Sequence, residues 1–137
     1  MNTTEQFKEI FPRGDKASAD YFTGTAWVKI LTPQPALNTT VGNVVFEPGC
    51  RNNWHSHKGG QILVCLDGEG YFQEKGKPTQ LLRKGDVVQI LPGVVHWHGA
   101  TPQSWFTHLA LGPNANLGAA DWLEPVTDEE YNSFQPS

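Results

Sequence analysis

Five histidines lie between positions 55 and 108, and four of them form two His-x-His pairs, His55 with His57 and His96 with His98. In an extended chain, residues two apart point to the same face, so each pair presents both imidazoles to one side of a sheet. That makes each pair a bidentate clamp for a metal ion. Gln61 follows His57 by four residues, across Gly59 and Gly60, which can bend the chain enough for the amide oxygen to reach the same point. Imidazole ligands suit zinc, iron, nickel and copper, and ligand type alone leaves manganese open. The fifth histidine sits in the apolar run Trp105-Phe106-Thr107-His108-Leu109-Ala110-Leu111. It is either a core histidine bonded to backbone or a general base. Burial and a nearby cation both favour the neutral ring that accepts a proton at pH 7.

The elements that must position these groups are short. The chain has 137 residues, enough for one ordinary domain. Its 14 glycines and 10 prolines are spread along it, and each would cost a helix interior about 1 or 3 kcal/mol respectively. Long helices, and with them bundles and parallel sheets with crossover helices, are excluded. Between these residues lie β-branched and aromatic runs at 25–31, 41–46, 61–66, 70–74, 81–83, 86–91, 96–98 and 105–111. Eight such runs spaced by turn residues predict an antiparallel sandwich or barrel of the jelly-roll kind. Turns are predicted at 66–70 and 74–78. Thr127 before Asp128, Glu129 and Glu130 is a capping box, predicting a short surface helix through about Phe134. Thr3 or Thr4 is placed to cap a helical turn from Glu5 to Ile10. Trp54, Trp97, Trp105 and Trp122 are read as packing residues.

A net charge of -4, with no run of basic residues, argues against nucleic acid as a partner. No stretch is long and apolar enough to span a bilayer, and the first twenty residues carry no hydrophobic leader, so a cytoplasmic location is the expectation. There Cys50 and Cys65, which form no Cys-x-x-Cys pair, read as buried thiols.

Two spaced motifs resemble those of the cupins, small β-barrels that hold a metal inside. The first runs Gly49, five residues, His55-Ser56-His57, three residues, Gln61, six residues, Gly68; the family's usual glutamate is replaced by Gln61. The second runs Gly85, five residues, Leu91-Pro92-Gly93, two residues, His96, three residues, Ala100, with Leu91 and Ala100 in place of the family's proline and asparagine. The resemblance implies an all-β cupin β-barrel, a double-stranded β-helix or jelly roll with a short C-terminal helix, as a single domain over 1–137 with its motifs at 49–68 and 85–100. It further implies His55, His57, Gln61 and His96 as ligands of one divalent metal ion. Manganese comes first because similar cupins often carry it, with iron, zinc or nickel as alternatives. Four neutral ligands leave the ion its whole double charge. The missing carboxylate argues against oxygenase chemistry of the two-His-one-carboxylate type.

Further segments resemble the bacterial cupin hydroxynitrile lyases: 21–25, 45–49, 54–57, 60–61, 96–100, 107–110 and 121–129. In that group the implied reaction is reversible cleavage of a cyanohydrin to an aldehyde and cyanide. The resemblance makes His108 the proton-transferring residue; His98, outside the ligand pattern but on the inward face of His96, joins it as a catalytic candidate. Gly42, Val44 and Gly112 are the candidate substrate pocket. A metal-dependent dioxygenase and a non-catalytic small-molecule-binding cupin are the competing readings. The expected partner is a small-molecule substrate, with no nucleic acid or membrane, and the expected assembly is a homodimer or homotetramer.

Overall fold

The computed structural model describes residues 9–136. Twelve strands follow in order: β1 (Asp15–Lys16), β2 (Phe22–Thr23), β3 (Ala26–Ile30), β4 (Thr39–Phe46), β5 (Arg51–Asn52), β6 (His55–Ser56), β7 (Gln61–Glu74), β8 (Gln80–Arg83), β9 (Val87–Ile90), β10 (His96–Ala100), β11 (Phe106–Pro113) and β12 (Asp121–Trp122). The helix α1 (Asp128–Tyr131) ends the chain. All pairings are antiparallel, and the sheet runs β1-β3-β4-β11-β7-β10-β5-β2, with β8 and β9 on β7, and β6 between β10 and β12. The result is the all-β barrel expected. Most of the predicted helical turn near the N-terminus lies outside the described residues, and positions 9 and 10 belong to no regular element.

The barrel is made by one long strand that serves both of its walls. The first half of β7 pairs with β11 and β9, and its second half pairs with β10 and β8. The predicted turn at 66–70 is therefore a correction: the chain runs through it as strand. What the Asp67-Gly68 pair marks is a bulge, because Thr107 faces Asp67 while His108 faces Cys65, leaving Leu66 as an extra residue. Gly68 stands at φ 77, and a Cβ there would fall 1.8 Å from the Trp105 carbonyl oxygen. The same residue types that close a hairpin thus bend a strand from one wall to the next. The second predicted turn holds, with Gly76 at φ 84 between β7 and β8.

Alternation along the strands sorts residues into a lumen and an outer face. Phe46, Phe72, Phe106, Ala26 and Ala100 fill the lumen as an apolar plug, with Leu63 and Cys65 beside them. Both cysteines are free and buried, and burial pushes each thiol up to about 12. Trp97, pointing away from its histidine neighbours, joins Trp54, Val126 and Tyr131 in a second buried cluster. Trp105 instead stacks on Trp27 beneath the Arg13 guanidinium.

The C-terminal helix differs from the surface appendage expected. Its capping box is formed, with the Thr127 side chain accepting the Glu130 N–H and the Glu130 side chain accepting the Thr127 N–H. Tyr131 is nevertheless buried, and its hydroxyl donates to the Ala100 carbonyl. Arg51 reaches from β5 to Asp128 at 2.7 Å and to the Val126 carbonyl at 3.0 Å, with its guanidinium over the Tyr131 ring. Helical structure stops at Tyr131, and Phe134 then packs on Tyr71.

Candidate metal centre

Above the apolar plug, five imidazoles gather in the lumen. His96 and His98 are successive inward residues of β10 and both are buried. β10 pairs with β6 so that His96 stands opposite His55. Their ring centroids are 4.3 Å apart, while His57, just beyond β6, lies 5.0 Å from His55 and 5.6 Å from His96. The bend expected of the glycine pair is present, with Gly60 at φ 80. It brings the Gln61 Oε1 to 3.0 Å from His96 Nε2. Residues 35 apart in sequence thus share one point.

Backbone carbonyls aim two of the rings. His55 donates Nδ1–H to the Asn53 carbonyl at 2.8 Å, and His96 donates Nδ1–H to the Val94 carbonyl at 3.0 Å. Each bond holds the ring's proton on Nδ1 and leaves the Nε2 lone pair facing the cluster. For His96, that lone pair is directed at the Gln61 side-chain amide, whose oxygen can share an ion with it. His57 Nε2 is buried without a partner. These residues therefore fit a divalent ion. His55, His96 and His98 also form a buried set whose ligand atoms lie within 4.8 Å of one another. The lumen thus holds more imidazoles than the expected ligand set of His55, His57, Gln61 and His96 uses.

Desolvation keeps these rings neutral. Burial is the chief cause in every case, lowering His96 to about 4 and His108 to about 3, and lowering His57 as well. His55 and His98 are held well below the usual range, first by burial and then by neighbouring imidazoles. Neutral imidazole is the form that binds a metal. The same shifts carry a stability consequence. In the unfolded chain a histidine takes up a proton below about 6.5, whereas the folded rings do not until the pH is far lower. Stability is therefore complete above pH 6.5 and is lost as pH falls toward the folded values. At pH 5, His96 and His108 each withdraw about 2 kcal/mol from the metal-free protein, at about 1.4 kcal/mol per unit. The expected result is a melting midpoint that drops steeply between pH 6.5 and 5, and that added metal restores in part; thermal melts at three pH values check it. A flat midpoint would contradict the buried neutral state.

A cavity of about 350 Å³ opens beside the cluster. His57 and Gln61 reach its wall, which is otherwise apolar, with Val28, Ile30 and Ala110 facing Gly42, Val44 and Gly112. The three pocket residues predicted from sequence thus line one cavity. His108 does not line it. On β11 it points inward two residues before Ala110, opposite Val44, and is fully buried among the rings of Phe46, Phe106 and His98, with centroids 5.4, 5.1 and 4.9 Å away. Both of its ring nitrogens lack partners. The core-histidine alternative, which required a bond to backbone, is not what the structure contains.

Two residues at the site escaped sequence reading. Asn52 on β5 holds His98 through both ends of its amide. Trp122 on β12, taken for general packing, lies 4.7 Å from the His55 ring and stacks on Tyr21 at 4.6 Å. The doublet Asn52-Asn53 directly ahead of the first histidine motif was the available signal for the former. Nothing local marked the latter, because the pairing of β12 with β6 is long-range.

The sequence profile described as "Cupin domain" matches residues 42–105. An (R)-mandelonitrile lyase of Granulicella tundricola is 45% identical over 118 residues, covering 85% of this chain and 89% of that protein. The crystal structure of a cupin-like protein from Thermotoga maritima superposes with a TM-score of 0.91 at 50% identity, covering 95% of this chain and all of that one. A predicted oxalate decarboxylase from the same organism, at 24% identity and a TM-score of 0.65 over 71% of this chain and 88% of its own, shares the fold alone.

Proposed function

Since the chain belongs to the cupin family, we propose that it is a metal-dependent lyase that cleaves cyanohydrins reversibly to an aldehyde and cyanide. The observation that carries this reading is the layer of neutral imidazoles, lone pairs inward, standing beside an apolar cavity. The 45% identity to a protein named (R)-mandelonitrile lyase supports it. His55, His57, Gln61 and His96 would hold the ion, with manganese the first choice. When bound there, the ion supplies an undiminished double charge that stabilises negative charge developing on the substrate.

The chain's own residues supply the rest. The aliphatic wall of Val28, Ile30 and Val44 receives the carbon substituent of the substrate and excludes water. Gly42, Ala110 and Gly112 leave room for it. His108, neutral and with both ring nitrogens unpartnered, is the assigned base; it lies buried beyond the cavity lining, so the cyanohydrin hydroxyl must reach past that lining to give it the proton. The carbon-carbon bond to the nitrile then breaks with its electrons passing to cyanide, the carbonyl forms, and the proton held on His108 returns to cyanide. Base and charge stabilisation are what the cleavage needs, and both come from groups facing one lumen. Assembly as a homodimer or homotetramer belongs to the same reading and is supported by the sheet edges that β1 and β9 leave unpaired among the described residues.

The test is elemental analysis of the purified protein coupled to cyanide release from mandelonitrile. About one equivalent of metal with turnover lost on chelation is the expected result. Metal without cyanide release would turn the reading toward a dioxygenase or a non-catalytic binding protein. Among the described residues no helix is long and apolar enough to cross a membrane.

A further inference from the structure

The cavity beside the imidazoles does not end at its mouth. A second cavity of about 460 Å³ lies against it, between the segment 32–39 and the turn at 115–116. Ile30, Thr40 and Ala115 border both. What separates them is an open sill, since Ile30 is 47% exposed and Thr40 is exposed as well. Thr40 pairs with Gly112 across β4 and β11, and a Cβ on that glycine would fall 2.6 Å from Thr40 Oγ1. The hydroxyl therefore leans over Gly112, at the edge of the inner cavity.

The outer cavity is held in shape by Asn38, a residue at φ 51. Its carbonyl accepts the Ala115 N–H at 3.0 Å, and its side-chain Oδ1 accepts the Asn116 N–H at 2.7 Å. Gln34 similarly accepts the Ala36 N–H on Oε1 at 3.3 Å. A backbone N–H can only donate, so in both amides the oxygen is the occupied end and the NH2 group is left over. Both side chains line the outer cavity. No Asp, Glu, Lys or Arg borders either cavity.

We propose that the outer cavity is a subsite for the far end of an elongated, neutral substrate. An apolar stem crosses the sill over Ile30, and an oxygen-bearing tip, an ether, hydroxyl or amide, takes hydrogen bonds from the Gln34 and Asn38 amides. The lining dictates this chemistry. A charged tip would find no counter-charge, and an all-carbon tip would lie against amide hydrogens at the open end of the cavity, in water. A neutral oxygen accepts those hydrogens and stays partly hydrated. Contacts made there add to the grip on the reacting end. That the reacting end is a cyanohydrin rests on the lyase reading above; the subsite does not.

The experiment compares mandelonitrile with its para-(methoxypropyl) and para-pentyl derivatives, the last two differing only by an oxygen in place of a methylene. For the metal-loaded full chain, kcat/KM for cyanide release is expected to be about 10-fold higher for the ether than for mandelonitrile, and about 3-fold higher than for the pentyl compound. Ala115→Phe, which raises the sill, is expected to lower the ratio of ether to mandelonitrile by about 10-fold. Gln34→Leu is expected to erase the preference for ether over pentyl. Binding is read separately, from the side-chain amide proton–nitrogen signals of the wild-type chain titrated with para-(methoxypropyl)benzyl alcohol, which has no nitrile to lose. The Gln34 and Asn38 signals are expected to move to saturation with this alcohol and to stay still with benzyl alcohol. Equal kcat/KM for the ether and mandelonitrile, or still signals with the long alcohol, would overturn the subsite whether or not the variants fold. So would a folded Ala115→Phe protein with the wild-type ratio. Signals that move in a chain releasing no cyanide from any of the three nitriles would remove the lyase reading and leave the subsite standing.

Discussion

Replacing His55 with alanine is expected to remove metal and activity together. His55 is the hub of the cluster, 1% exposed, with its ring 4.3 Å from His96, 5.0 Å from His57 and 5.5 Å from His98. Its Nδ1–H is spent on the Asn53 carbonyl, so its one remaining nitrogen has no other task than to face the site. Even groups that only orient a ligand typically cost 10- to 100-fold in metal affinity when changed. Loss of the ligand itself should exceed about 100-fold, leaving the purified protein with far less than one equivalent. Elemental analysis and cyanide release read the two losses independently. The Asn53 carbonyl and the Trp122 ring lose their partner in the same step, so a lower melting midpoint is expected as well. A His55→Ala protein that keeps a full equivalent of metal would show that the ion is held elsewhere in the lumen.

His108→Ala should behave in the opposite way, keeping the metal and losing turnover. The ring makes no hydrogen bond, lies one layer below the cavity wall and is not among the residues whose ligand atoms converge. Removing a positioned base costs about 100- to 10,000-fold in rate. The same substitution deletes a buried polar group that has no partner, which offsets part of the packing lost among Phe46, Phe106 and His98. A near-normal metal content and a modest change in melting midpoint are therefore expected beside the large loss of kcat. Full activity in this variant would take His108 out of the mechanism and leave it a core residue with a missing partner.

Much of this site was legible in one dimension because its spacing is local. A His-x-His pair on an extended chain must show both rings to one face, so the clustering of His96 with His98 needed only the strand. The glycine pair before Gln61 made the reach of its amide foreseeable for the same reason. Gly42, Val44 and Gly112 line one cavity because alternation along β4 and β11 turns them to the same side. The bulge at Leu66 was misread as a turn, since Asp67 and Gly68 satisfy the backbone demands of both, and only the identity of the partner strands separates them. The strands of two residues, β1, β2, β5, β6 and β12, left no periodic trace at all. Two of them, β5 and β12, carry Asn52 and Trp122.

The sequence by itself determined the kind of protein this is: an all-β chain broken by glycine and proline, with paired histidines and an amide able to bind a metal without adding charge. Those properties follow from side-chain chemistry and short-range geometry, which no distant contact can alter. Tertiary structure decided which imidazole does what. His55, His96 and His98 are chemically identical and all buried, and they differ in what surrounds their rings: the carbonyls of Asn53 and Val94 at Nδ1 for two of them, and the amide of Asn52, 46 residues away, against the ring of the third. A hydrogen bond assigns a proton to one ring nitrogen, and in a water-excluded lumen only the packed chain can supply its partner.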